Sequence, residues 1–266
     1  MPKLRILCAI FSFIFGAVFS SFAGVVAYRA PKGLSIVNPD SYCPSCEKSI
    51  KGFDNIPILS WLILGGKCRH CKAKIGVFSL LCEVFGGLGF MFAYLQYGDK
   101  TQTLPIFIAL MLLVFLFIII AGIDHETHDV YNITLILYGA LAMFITFYRC
   151  AVLNGDIWEY IFGALFGFGF FGAIKLVAKL VLKKEALGSG DIYLVGIGGF
   201  IVGVLPLLIS IIIATLLGSI VEIIKIKTAK AEREAEIAFG PYLLLGLGLM
   251  SIFGEMFMKI YWEVLL

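Results

Sequence analysis

Two acids and four cysteines are the chemically capable groups of this chain. Asp191 stands in Leu187-Gly188-Ser189-Gly190-Asp191-Ile192-Tyr193-Leu194, directly before a stretch that is uncharged from Ile192 to Val221. Asp124 stands in Gly122-Ile123-Asp124-His125, directly after an apolar run. A charge at mid-membrane costs roughly 2.5–3.5 kcal/mol on insertion scales, so an acid at such a border needs a reason. Two carboxylates within a few Å of each other hold one proton between them, because like charges that close cannot both ionise. The ionised member takes a proton from water, and the water attacks a peptide carbonyl. The protonated member polarises that carbonyl and supplies the leaving amine with its proton. Structural roles compete with this reading. Asp124 could be a solvated residue where the chain leaves the membrane, although the dipole at a helix C-terminus disfavours an anion. Asp191 could N-cap the helix that follows it.

The cysteines suggest a metal. Cys43-Pro44-Ser45-Cys46 and Cys68-Arg69-His70-Cys71 are separated by the 21 residues 47–67. That is close to the spacing of paired zinc knuckles, in which two tight turns present four thiolates to one tetrahedral ion. Four cysteines close the coordination sphere, so the expected zinc is structural. Two disulfides are the competing reading, disfavoured in a reducing compartment. His70 is expected to be exposed. Cys8, Cys82 and Cys150 lie in or beside apolar runs and read as small buried hydrophobes. Glu83, inside an apolar run, is either a functional acid or the partner of a basic group.

These groups must be positioned by membrane helices. The chain has 266 residues, 61% of them hydrophobic and 15% charged, against about 25% charged in soluble domains. Apolar runs predict helices over 6–28, 76–97, 104–123, 130–148, 157–182, 192–204, 206–221 and 238–258. The break between the sixth and seventh is placed at Gly203 and Pro206, which divide the uncharged run into two short or tilted helices. The first run follows Lys3 and Arg5 but is too long for the 7–15-residue core of a signal peptide, and it reads as a retained span. With eight alternating helices, 16 of the Lys and Arg residues fall on the side holding 29–75, 124–129, the end of the fifth helix and 222–236, against 5 on the other. The positive-inside rule makes the first side cytoplasmic. Both acids then emerge at the cytoplasmic edge at one depth. The loop 222–236 mixes both signs of charge and reads as a solvated extension. The fold class expected is all-α: a polytopic membrane protein of about eight transmembrane helices with a small cytoplasmic zinc-binding insertion carrying the four cysteines. Its parts are a first helix (1–28), the four-cysteine domain (29–75) and a transmembrane peptidase domain (76–266).

Gly188-Ser189-Gly190-Asp191 resembles the Gly-x-Gly-Asp signature of intramembrane aspartyl proteases. Ala186-Leu187, Phe239-Gly240-Pro241-Tyr242, Ser21-Phe22, Tyr28-Arg29 with Pro31, Asn55-Ile56-Pro57 with Ser60-Trp61, Gly66-Lys67 and the two cysteine pairs together resemble the type IV prepilin peptidases over nearly the whole chain. The chain departs from that pattern at Gly24, Tyr131-Asn132, Tyr193 and Ala238, none of which is a catalytic position. The resemblance implies catalysis by Asp124 and Asp191 and metal ligation by Cys43, Cys46, Cys68 and Cys71. It also implies an inner-membrane endopeptidase that removes the leader of type IV prepilins or pseudopilins at the cytoplasmic face. Such an enzyme N-methylates the new terminus with S-adenosylmethionine. Zinc and that methyl donor are the cofactors implied; no Gly-rich loop assigns residues to the donor. Prepilin substrates and membrane lipid are the expected partners, and a nucleic acid is not. An ion-coupled transporter using the two carboxylates is the alternative in another class.

Overall fold

A computed structural model describes residues 2–181, 183, 188–228 and 238–265. The described residues form α1 (Pro2–Arg29), α2 (Leu59–Ile63), α3 (Val77–Tyr97), α4 (Leu104–Thr127), α5 (Asn132–Leu153), α6 (Ile157–Val181), α7 (Ser189–Val202), α8 (Val204–Lys227) and α9 (Gly240–Leu265). Among the described residues, seven helices are long and apolar enough to cross a membrane, and α7 is a shorter apolar helix of 14 residues. The described residues contain no β-strand, only the isolated bridges Tyr42–Ser49 and Lys67–Lys74. The all-α polytopic expectation therefore stands.

Several helix ends differ from expectation, for one reason. Composition ends each helix at its first charge, but a charge that the packing accommodates does not stop a helix. The α4 helix runs on to Thr127, which puts Asp124 inside its last turn. The α8 helix runs to Lys227, carrying the ion pair of Lys225 with Glu222 at 2.6 Å. Residues 229–237 of the charged loop lie outside the described residues, as do Ala186 and Leu187 ahead of the Gly-x-Gly-Asp stretch. Arg149 falls just past the expected end of the fourth span, yet it is buried within α5, one turn before its end. Its guanidinium donates to the Ile201 carbonyl (2.8 Å) and the Ser251 carbonyl (2.9 Å) and pairs with Glu255 (3.0 Å), tying α5 to α7 and α9.

The uncharged run divides at Gly203, whose φ of 82° separates α7 from α8. Pro206 falls in the first turn of α8, where its missing N–H has no intrahelical partner to lose. Only α7 is short; α8, with 24 residues, is a full span. Fourteen residues rise about 21 Å, less than the ~30 Å hydrocarbon core.

The α4 helix is central, packing against α1, α3, α5 and α9. It supplies Leu110, Leu113 and Ile120 to a core with Tyr138, Leu194, Leu207 and Leu243. It also supplies Ile118 and Ile123 to a second core with Ala23, Ala27 and Phe90. The α7 helix lies tightly on α6, since a side-chain carbon at Gly163 or Gly199 would collide with the backbone of the other helix. Such small-residue contacts let membrane helices approach closely.

Candidate active site and metal centre

Asp124 is buried at 6% exposure in the last turn of α4, which ends at a left-handed His128 whose N–H donates to the Asp124 backbone carbonyl at 2.9 Å. An anion there opposes the dipole of its own helix. The start of α9 offsets this. Gly240 opens α9 directly against the Asp124 carboxylate. The fit is close, because a side-chain carbon at Gly240 would lie 2.6 Å from Asp124 Oδ2. That Oδ2 is buried and accepts no hydrogen bond among the described residues.

Asp191 is half-buried in the first turn of α7. The N-cap position belongs to Gly188, and no side chain caps this helix. The capping role considered for Asp191 is thus not realised. Three hydrogen bonds from α5 set the position of α7: Tyr138 to the Leu194 carbonyl (3.4 Å), Thr146 to the Phe200 carbonyl (2.5 Å) and Arg149 to the Ile201 carbonyl. At the other end, a side-chain carbon on Gly190 would lie 2.7 Å from Val130, in the link between α4 and α5. The segment leaving Asp124 therefore packs on the turn that carries Asp191. The two acids share one end of the bundle.

The cysteines gather at the same end. All four Sγ atoms lie within 4.8 Å of one another, and Cys43 Sγ is 3.8 Å from Cys71 Sγ. A disulfide needs about 2.05 Å, and every cysteine is free. A tetrahedron with Zn–S of about 2.3 Å has edges of roughly 3.8 Å, so the donor set fits a zinc ion. The two turns repeat each other. Cys43 N–H donates to the Lys48 carbonyl and Ile50 N–H to the Ser41 carbonyl; Cys68 N–H donates to the Ala73 carbonyl and Ile75 N–H to the Gly66 carbonyl. Glu47 and Lys72 adopt left-handed backbone at matching places, with φ of 56° and 61°. The N–H groups of Cys71 and His70 bring the Cys68 thiol down to about 6. His70 is exposed.

Sequence reasoning missed two anchors of this segment. Glu83, buried on α3, accepts the Ile58 N–H at 2.6 Å, so its partner is backbone and not a basic side chain. Arg69 forks onto Asp54 at 2.7 and 2.6 Å, and this pairing holds the Asp54 carboxyl below its usual range. The left-handed turn at Ile58 has no signature in spacing, although an isolated acid in an apolar run marks Glu83 as worth attention.

Two cavities flank Asp124. One, of about 460 Å³, lies between the cysteine segment and the ends of α1, α3 and α4, reaching Gly122, His125 and Glu126. The other, of about 390 Å³, is an apolar groove between α3, α4 and α9. Phe78, stacked on His125 at 4.3 Å, lines both.

Residues 14–97 match the bacterial peptidase A24 N-terminal domain, and residues 110–223 match the type IV leader peptidase family. Fold and match together define a polytopic membrane peptidase. The chain is 31% identical, over 90% of its length and 91% of the relative's, to the type 4 prepilin-like proteins leader peptide-processing enzyme of Escherichia coli O78:H11. It is 29% identical to the prepilin leader peptidase/N-methyltransferase of Pseudomonas aeruginosa, covering 98% of this chain and 94% of that one. It is also 29% identical to the protein of the same name in Bacillus subtilis, covering 94% and 96%. The chain belongs to the type IV leader peptidase family. No solved structure matches it.

Proposed function

We propose that this protein is an inner-membrane aspartic endopeptidase that cuts the leader from type IV prepilins or pseudopilins at the cytoplasmic face, and then methylates the exposed amine. The names of the relatives support the substrate class and both activities. The bias of Lys and Arg, 16 against 5, supports a cytoplasmic site. The observation that supports the protease chemistry is that Asp124, in the last turn of α4, and Asp191, in the first turn of α7, lie at the same end of the bundle, where Val130 after α4 packs on Gly190.

One carboxylate of the pair takes a proton from water as the water attacks the peptide carbonyl. The other, protonated, polarises that carbonyl and passes its proton to the departing amine. The roles belong to the pair and are not divided between its members here. The cut falls where lipid meets water because both acids lie about one helical turn inside their helix ends.

Residues 29–75 form a zinc-stabilised domain, with Cys43, Cys46, Cys68 and Cys71 as ligands, and 76–266 the peptidase domain. Zinc there folds a segment too small for a core of its own. The 460 Å³ cavity fits S-adenosylmethionine. Its size lies within the roughly 300–1,000 Å³ of small-ligand sites. Tyr42 and Phe78 offer faces for a purine, Glu126 suits a cation, and Lys48 and Lys74 suit a carboxylate. That cofactor supplies an electrophilic methyl group, and the cavity reaches α4 beside Asp124.

A synthetic prepilin peptide and the purified protein in detergent test the reading. Asp124→Asn and Asp191→Asn should each cut cleavage by roughly 10²–10⁴-fold while leaving the helices inserted. Full cleavage by either variant overturns it.

A further inference from the structure

The α3 and α9 helices both pack on α4 but make little contact with each other, so a slot remains between them. Its walls are single helix faces. Phe78, Leu81, Phe85 and Phe92 recur on α3 at helical spacing, while Leu245, Leu249 and Phe253 do so on α9. Val114, Phe117 and Ala121 of α4 form its floor. Gly248 leaves room over that floor, since a side-chain carbon there would only touch Phe117 at 3.6 Å. The far end is closed by Phe92 against Phe253, edge to face at 5.1 Å. The near end opens at His125 and Pro241, the neighbours of Asp124 and Gly240.

We infer that this slot seats the apolar helix of the substrate, with its scissile end at His125 and Pro241. The inference rests on the peptidase reading and assigns that site its membrane-side specificity surface. Three features favour a helix. The slot is bounded by faces of α3, α4 and α9, with Val221 and Lys225 of α8 beside its open end, and is mostly apolar; a helix is the form a chain must take in lipid, where backbone groups need internal partners. It is closed at one end, so an occupant has a defined register. Its open end leads to the candidate acid. From Phe78 to Phe92 the slot runs fourteen residue steps along α3, about 21 Å. A seated helix would therefore use about fourteen apolar residues next to the cut.

The test uses the full chain in lipid nanodiscs. Asp124→Asn holds the substrate uncut, and a photo-crosslinking amino acid replaces Phe85 or Leu249 in the slot, or Ile136 on the exposed face of α5. The probes are a peptide with a basic leader and a twenty-residue apolar segment, and the leader with its junction alone. The long peptide should crosslink at 85 and 249 at least tenfold more than at 136, and the short one at none of them. With the wild-type acids, shortening the apolar segment below about fourteen residues should raise KM by tenfold or more and leave kcat unchanged. Equal crosslinking at 136, crosslinks to lipid alone or to a second copy of the chain, or an unchanged KM would sink the slot while the peptidase reading stands. Unimpaired cleavage by the aspartate variants is the separate result that removes that reading.

Discussion

Gly240 has no side chain where Asp124 needs the space: a carbon added at Gly240 would lie 2.6 Å from Asp124 Oδ2. The first residue of α9 and the last turn of α4 are thus fitted to each other. A glycine beside a proline, ordinarily read as a helix start, here shapes the candidate site.

Replacing Gly240 with Ala tests this directly. The added methyl must displace the carboxylate or the start of α9. A misplacement of about 1 Å is enough to lower turnover on the order of 100-fold. Steady-state cleavage should show a fall in kcat, with the thermal midpoint in detergent changed by only a few degrees.

The metal centre predicts a stoichiometry. The purified protein should hold about one zinc ion per chain by elemental analysis, and of its seven free thiols four should become reactive only once the metal is chelated. Cys71→Ser should bring the zinc content well below one while circular dichroism keeps its helical signal, because the spans do not depend on the metal.

Glu83 anchors the cysteine segment to α3 through the Ile58 N–H at 2.6 Å. Glu83→Ala removes a bond to a charged acceptor, of about 1.5–3 kcal/mol. Hydrogen exchange should rise over residues 52–64 and stay unchanged in α8. Glu83→Gln, which keeps an acceptor, should show a smaller rise.

Arg149 carries the largest expected effect on stability. It is 3% exposed and joins α5 to carbonyls of α7 and α9 and to Glu255. Arg149→Met leaves those acceptors without a donor inside the bundle. Breaking such a buried arrangement costs about 3–5 kcal/mol. Thermal unfolding in detergent should shift accordingly, and cleavage should fall with it because α7, which carries Asp191, loses its hold at Ile201.

Much of this molecule can be read before it folds. Uncharged runs of twenty or more residues have one low-energy form in lipid, so the spans and their order follow from composition. The knuckles follow from two Cys-x-x-Cys pairs whose surroundings repeat from Cys43 to Cys68. The two acids are marked by standing where apolar runs meet polar sequence. Helix ends are less legible. Whether Arg149 or Glu222 stops a helix depends on partners such as Ile201 and Lys225 that only packing supplies.

The amino-acid order alone determined what must cross the membrane, which cysteines can share an ion and which carboxylates lie at the border. Those properties depend on hydrophobicity and local spacing. Only the tertiary structure decided that Gly240 meets Asp124, that Val130 rests on Gly190, and that α3 and α9 stand apart over α4. Such contacts join residues distant in the chain, and their free energy comes from complementary shapes that no single segment contains.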